Sequence, residues 1–311
     1  MPARATRLKP SFRGKIWGST HLEPWFPDSR EKTGEVWFLG EREFPVLIKF
    51  LFTSEPISVQ VHPGDAYARR HENSRGKTEM WHILRAEPGA EIAAGFHEPI
   101  GRVRLREAAE SGEIEKLLAW HPVQAGETYF TPAGTVHAIG AGLALCEIQQ
   151  NSDVTYRLYD YGRDRPLHLE KGAEVADLGR HPGRVEPRGG PLVESEYFVT
   201  SLLEVDGPVT LPGSEERMQF FISLEGSGKI GGDSFRLGEV WYVAPGAGEI
   251  ALDGRARLLH VKCRDDTGKS DFYCPQCRRP EPRPLVCADC RAVICRECGG
   301  TLERVDDLGI G

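Results

Sequence analysis

Short apolar segments, each ended by a turn-forming residue, recur from about Glu35 onward: EVWFLG, FPVLIKFLF, ISVQVHP, EMWHILRA, AEIAAGF, ETYFTPAG and LALCEIQQ. They read as strands, because a helix needs a longer stretch with apolar residues three and four apart. The 35 glycines and 22 prolines in the 311-residue chain supply the turns between them. A strand buries its apolar face against other strands, so the body is expected to be all-β, a barrel or sandwich. One segment has helical spacing, VRLREAAESGEIEKLL from Val103 to Leu118, and is expected to form an insertion helix between strands.

The run HPGRVEPRGGP, His181 to Pro191, interrupts this pattern and reads as a linker. Beyond it YFVTSLLEV, QFFISLEGSGKI, EVWYVAPGAGEI and RARLLHVK repeat the strand-and-turn character, a weak internal repeat of one barrel type. After the polar stretch RDDTGKSD, six of the eight cysteines crowd between Cys274 and Cys298 as three CxxC pairs. Three parts are therefore expected, residues 1–180, 181–264 and 270–311. Cys146 and Cys263 lie in apolar runs and are read as small buried hydrophobes. The formal net charge of −7 offers no field to draw nucleic acid or anionic lipid. No apolar run reaches signal-peptide or membrane-span length, so a cytoplasmic protein with a small-molecule partner is expected.

Strand alternation places Ser58, Gln60 and His62 on one face of ISVQVHP, and Lys77, Glu79 and Trp81 on one face of GKTEMWHIL. A lysine and a glutamate facing a barrel interior are costly to bury unless a metal or substrate compensates them. In GETYFTPAGTVHAIG the spacing of Gly126, Pro132, Gly134 and His137 matches the second motif of the cupin barrels, and the Pro-Ala-Gly turn aims His137 inward from the start of a strand. Gln60, His62, Glu79 and His137 supply two imidazoles, a carboxylate and an amide oxygen, a donor set suited to zinc with positions open for substrate.

At these residues the sequence resembles the type I phosphomannose isomerases. The carriers are IWGS, FPVLIKFL, SVQVHPGDAYA, GKTEMW, PAGTVHAIG and EIQQNSDVTYRLYDYGR, which together span about residues 14 to 170. The resemblance implies two cupin (jelly-roll) barrels, the second without metal. It also implies a zinc-dependent aldose–ketose isomerase interconverting mannose 6-phosphate and fructose 6-phosphate through an enediolate. On that reading Gln60, His62, Glu79 and His137 hold the zinc, and Lys77, Glu147, Asp153 and Arg157 belong to the active site. Lys49 and Ser58 lie toward the phosphate. Arg163 stands where longer members carry lysine, and bidentate geometry suits it to a phosphate. The proton carrier is left open between Glu147 and Lys77, while Arg157 steadies the enediolate or holds a hydroxyl. Alternation from Glu147 through Gln149 and Asn151 would put Asp153 on the same face.

In the tail, Cys274/Cys277 and Cys295/Cys298 are separated by seventeen residues, a zinc-ribbon spacing that suggests a second, structural zinc. Cys287/Cys290 are an alternative pair. Residues 270–311 carry six arginines against seven acidic side chains, so no basic stripe points to nucleic acid, and a protein contact is the expected role. A non-enzymatic alternative is a sugar-phosphate-binding cupin acting as a sensor or scaffold through this tail.

Overall fold

FPVLIKFLF and LALCEIQQ carry almost no exposed surface, because the strands they form have protein on both faces. The computed structural model describes residues 4–186, 189–264, 272–280, 285–286, 293–295, 298 and 300–304. Residues 1–263 form one compact unit and residues 264–311 a second.

In chain order the first unit carries β1 (Ala5–Arg7), β2 (Lys9–Ser19), β3 (Thr33–Leu39), β4 (Val46–Thr53), β5 (Val59–Val61), α1 (Asp65–Glu72), β6 (Glu79–Ala86) and β7 (Glu91–Phe96). Helices α2 (Arg102–Ser111) and α3 (Ile114–Leu117) follow, then β8 (Leu118–Pro122), β9 (Thr128–Thr131), β10 (His137–Ile139), β11 (Leu143–Gln150), β12 (Tyr156–Tyr159) and α4 (Leu169–Val175). The rest are β13 (Val193–Glu194), β14 (Phe198–Asp206), β15 (Val209–Leu211), β16 (Gln219–Ile230), β17 (Asp233–Arg236), β18 (Val240–Val243) and β19 (Ile250–Cys263).

The first barrel is a six-stranded sheet in the order β2-β3-β4-β11-β6-β9 and a five-stranded sheet in the order β12-β5-β10-β7-β8. Its interior includes Leu51, Ile57, Trp81, Ile83, Ile92, Ile139 and Leu145, drawn from both sheets. The outer face of the five-stranded sheet packs Val59, Val61 and Ala138 against Leu105, Ala108, Ile114 and Ala173 of the helices. The outer face of the six-stranded sheet presents Ile48, Phe50, Phe52, Met80 and Ile148. These pack on Phe198, Phe220, Ile222, Leu259 and Val261 of an eight-stranded sheet built around β18-β16-β19-β14. The second sheet's other face closes its own core with Phe221, Phe235, Trp241, Leu252 and Leu258.

The expected insertion helix is two helices, because Gly112 ends α2 with φ at +78° and a Cβ there would meet the Tyr159 ring at 3.1 Å. Residues 181–186 are irregular but tethered, with Val185 N–H donating to Thr128 O at 2.8 Å and His181 Nε2 2.7 Å from Phe130 O. Residues 181–263 belong to the same compact unit as the first barrel: Arg184 bridges to Tyr129, and β1 pairs with β18, Ala5 opposite Val243, and so extends the second sheet. Cys146 and Cys263 are both buried in the core between sheets. No helix among the described residues is long and apolar enough to cross a membrane.

Burial pushes the imidazoles of His82 and His260, which lie outside the candidate site described below, down to about 4. The unfolded chain takes up these protons as pH falls through about 6.5, whereas the folded chain resists until about 4, so stability is lost across that window by about 2 kcal/mol per histidine between pH 7 and 5. Urea denaturation at the two pH values checks this. His260→Gln should shrink the loss by roughly one histidine's share, and an unchanged loss would remove His260 as a source.

Candidate metal centre and active site

The inward faces of the two sheets bring Gln60, His62, Glu79 and His137 together. His137 begins β10 because Pro132 to Thr135 form a turn in which Thr135 N–H donates to Pro132 O at 3.1 Å and Gly134 takes φ of +93°, the position a type II turn reserves for glycine. In register, His137 stands opposite Gln60 of β5, and Gln60 opposite Arg157 of β12, so these side chains share one face. From the other sheet comes Glu79 at the start of β6, beside Thr131 of β9 and Gln149 of β11.

The donor atoms of His62, Glu79 and His137 all lie within 4.8 Å of one another. Nε2 of His137 is 3.3 Å from Glu79 Oε1, and Nε2 of His62 is 3.6 Å from Oε2. Each histidine spends its other nitrogen on a backbone carbonyl: His62 Nδ1 on Val154 O and His137 Nδ1 on Thr135 O, both at 2.9 Å. Those bonds place the proton on Nδ1 and turn the Nε2 lone pair toward the cluster. Burial, with Lys77 next in effect, holds His62 well below the usual imidazole range, and burial brings His137 down to about 4, so both are neutral as ligands must be. Neither oxygen of the fully buried Glu79 accepts a hydrogen bond. The Nε2 lone pairs and the Glu79 oxygens converge on one another, a set that a cation among them satisfies, so the residues fit a zinc ion. Gln60 joins with its amide nitrogen 3.2 Å from His137 Nε2, and rotating the amide by half a turn would offer its oxygen instead. The Lys77 ammonium supplies positive charge at the same place, 3.1 Å from His62 Nε2 and 3.4 Å from Glu79 Oε2.

Behind the ligands runs a brace that the sequence did not reveal. Gly76 N–H and the Gln150 amide both donate to Asp65 Oδ1, at 2.7 and 3.0 Å, and Thr78 N–H donates to Gln150 Oε1 at 2.8 Å. This fixes the segment carrying Lys77 and Glu79. A Cβ on Gly76 would lie 2.6 Å from Asp65 N and 2.9 Å from Pro63 O, so only glycine fits.

Glu147 is buried on β11 between Lys49 of β4 and Trp81 of β6, its cross-strand neighbours. Lys49 Nζ is 3.1 Å from Oε2, and Trp81 Nε1 donates to Oε1 at 3.1 Å. Burial alone would raise the Glu147 carboxyl, but the ammoniums of Lys49 and Lys77 and these bonds hold it below the usual carboxylate range. Lys49 is thus a buried partner of Glu147, with its ammonium also 4.8 Å from the Trp37 ring centroid. Ser58 is buried immediately before β5.

Arg157 donates from Nη1 to Pro166 O at 2.8 Å, while its Nε is buried without a partner. Arg163 is anchored by Asp160 Oδ1 at 2.9 Å and Pro56 O at 2.8 Å, and its buried Nη1 has no partner. Asp160, which the sequence reading passed over, also takes a bidentate pair from Arg165 at 2.5 and 2.6 Å. Asp153 is not brought into the cluster. It is exposed, because β11 ends at Gln150 and the alternation ends with it.

No family model matches the chain. It is 34% identical over 307 residues to mannose-6-phosphate isomerase ManA of Bacillus subtilis (strain 168), covering 81% of this chain and 96% of that protein. It is 38% identical over 273 residues to mannose-6-phosphate isomerase of Streptococcus mutans serotype c, covering 72% of this chain and 85% of that one. The chain belongs to the mannose-6-phosphate isomerase family. The crystal structure of the Bacillus subtilis mannose 6-phosphate isomerase superposes with a TM-score of 0.74 at 28% identity, over 83% of this chain and 99% of that one. A zinc-bound mannose 6-phosphate isomerase shares the fold at a TM-score of 0.68 and 15% identity, over 84% of this chain and all of its own. The two-sheet barrel backed by a second β unit is thus the family's cupin-like architecture.

Glu79→Gln removes the one anionic candidate ligand and is expected to weaken zinc binding by about 100-fold or more. Zinc competition with a chromophoric chelator reads it, and a variant with wild-type affinity would strike Glu79 from the ligand set.

Proposed function

We propose that this chain interconverts mannose 6-phosphate and fructose 6-phosphate through an enediolate, with zinc on Gln60, His62, Glu79 and His137. The observation that carries the reading is the juxtaposition, inside one barrel, of a buried carboxylate that accepts no hydrogen bond and two imidazoles whose Nε2 atoms point at it, with an ionised Glu147 and the ammonium of Lys77. A zinc ion in this donor set supplies Lewis-acid polarisation of sugar oxygens. The likeness to named mannose-6-phosphate isomerases supports the substrate.

The chain's own groups cover the remaining needs. Aldose–ketose isomerisation moves a proton between C2 and C1 while the hydroxyl and carbonyl exchange places. Glu147 accepts the C2 proton and returns it to C1, being the ionised carboxylate in the cluster whose position is fixed from two sides. Lys49 and Trp81 hold Glu147 in place. Lys77 stands beside His62 and Glu79, close to the oxygens that become anionic. Arg157 and Arg163, each with a buried N–H left unpaired, face the demands of a phosphate or enediolate oxygen, and Asp160 keeps Arg163 in place. Ser58 serves the phosphate end.

Zinc-loaded protein incubated with mannose 6-phosphate in deuterated water should yield fructose 6-phosphate carrying deuterium at C1, read by NMR. Binding of the sugar without conversion would overturn the isomerase reading. Glu147→Gln should lower kcat by about 10²–10⁴ with zinc content unchanged. A variant with near-normal kcat would pass the proton to Lys77.

A further inference from the structure

The second compact unit, residues 264–311, is too short to bury an adequate apolar core by itself. Its described elements are small: β20 (Phe272–Cys274), β21 (Arg279–Pro280), β22 (Leu285–Val286), β23 (Val293–Ile294) and β24 (Glu303–Arg304). β20 pairs with β21 and β24, and β22 with β23. What stands in the place of a core is sulfur. Cys274, Cys295 and Leu302 are buried, with Cys277 and Val293 packed against them.

The four sulfurs have the spacing of a coordination shell. Cys274 Sγ and Cys298 Sγ are 3.5 Å apart, Cys277 Sγ and Cys295 Sγ 3.8 Å, and all four lie within 4.8 Å. Tetrahedral zinc with Zn–S of about 2.3 Å sets its sulfurs about 3.8 Å from one another, whereas a disulfide needs about 2.05 Å. Backbone N–H groups are also directed at two of the sulfurs. Cys277 N–H donates to Cys274 Sγ at 3.3 Å, with Arg278 in the left-handed region at φ 54°, and Gly300 N–H donates to Cys298 Sγ at 3.4 Å. A Cβ on Gly300 would stand 2.7 Å from Gln276 Oε1 and 3.3 Å from Cys298 Sγ, so the glycine keeps the turn close to the sulfur.

We infer that Cys274, Cys277, Cys295 and Cys298 hold one zinc ion in a closed tetrathiolate site that folds this unit. The four thiolates fill a tetrahedral shell and leave no position for substrate, so the ion is structural. The second CxxC pair, Cys287/Cys290, lies outside the described residues. ManA and the Bacillus subtilis crystal structure match over 96% and 99% of their lengths while leaving part of this chain unmatched. Because its ligands all belong to the tail, the inference does not rest on the isomerase reading.

The test uses the full chain. Cobalt(II) replacing zinc should give the intense visible and thiolate-to-metal absorption of a tetrahedral S₄ site. Cys274→Ser/Cys295→Ser should abolish that absorption and remove one zinc per chain, leaving kcat on mannose 6-phosphate within about twofold. Should that variant leave the tail unfolded, Cys298→His keeps four ligands and should shift the cobalt spectrum toward S₃N with zinc retained. Survival of the S₄ spectrum in the double variant, an unshifted spectrum in Cys298→His, or iron in place of zinc in the purified protein would each overturn the assignment. Failure of the isomerase reading would show instead as missing turnover with the cobalt–thiolate spectrum intact.

Discussion

A carboxyl sealed from water with neither oxygen hydrogen-bonded stays ionised only if positive charge gathers around it, since burial otherwise favours the protonated form. Glu79 is in that position, and much of the first barrel is organised around the requirement. The Asp65–Gly76–Gln150 brace brings Lys77 and Glu79 to the cluster together, and the two histidines are turned by backbone carbonyls so that their Nε2 atoms face it.

The six-stranded sheet carries this charge at its centre because its two faces are divided so sharply. Along β4, Ile48, Phe50 and Phe52 lock into the second sheet while Lys49 and Leu51 face the barrel, and β11 repeats the division with Cys146 and Ile148 against Glu147 and Gln149. A one-residue slip in register would exchange the two sets, driving a lysine and a glutamate into an aromatic core. The apolar packing therefore fixes the register that the chemistry needs. Lys49 and Glu147 in turn neutralise each other in the middle of strands that water does not reach.

The strand segments from Glu35 onward were legible because burial on one or both faces writes itself into hydrophobic runs. The convergence of His62, Glu79 and His137 was legible because alternation and the Pro132 turn are local. Where the argument needed information across strands it fell short: the bond between Lys49 and Glu147 depends on pairing register, and the clamp of Asp160 on Arg163 and Arg165 depends on a loop path. Asp153 was projected by alternation past the residue where the strand stops. β2 escaped notice because KPSFRGKIWGS is exposed along most of its length and shows no apolar stripe. Gly112 split a helix whose charge pattern alone reads as continuous.

The pairing of β1 with β18 ties Ala5 to Val243 across almost the whole of the first unit. On a ribosome adding roughly 5–20 residues per second, β1 emerges on the order of ten seconds or more before its partner exists. The first barrel has all its strands by Tyr159 and can close in the meantime, whereas the eight-stranded sheet has to wait for β18 before β1 can be captured. Its edge is thus among the last parts of the body to be made, and until then β1 is an unpaired strand that chaperones or another copy of the chain can reach.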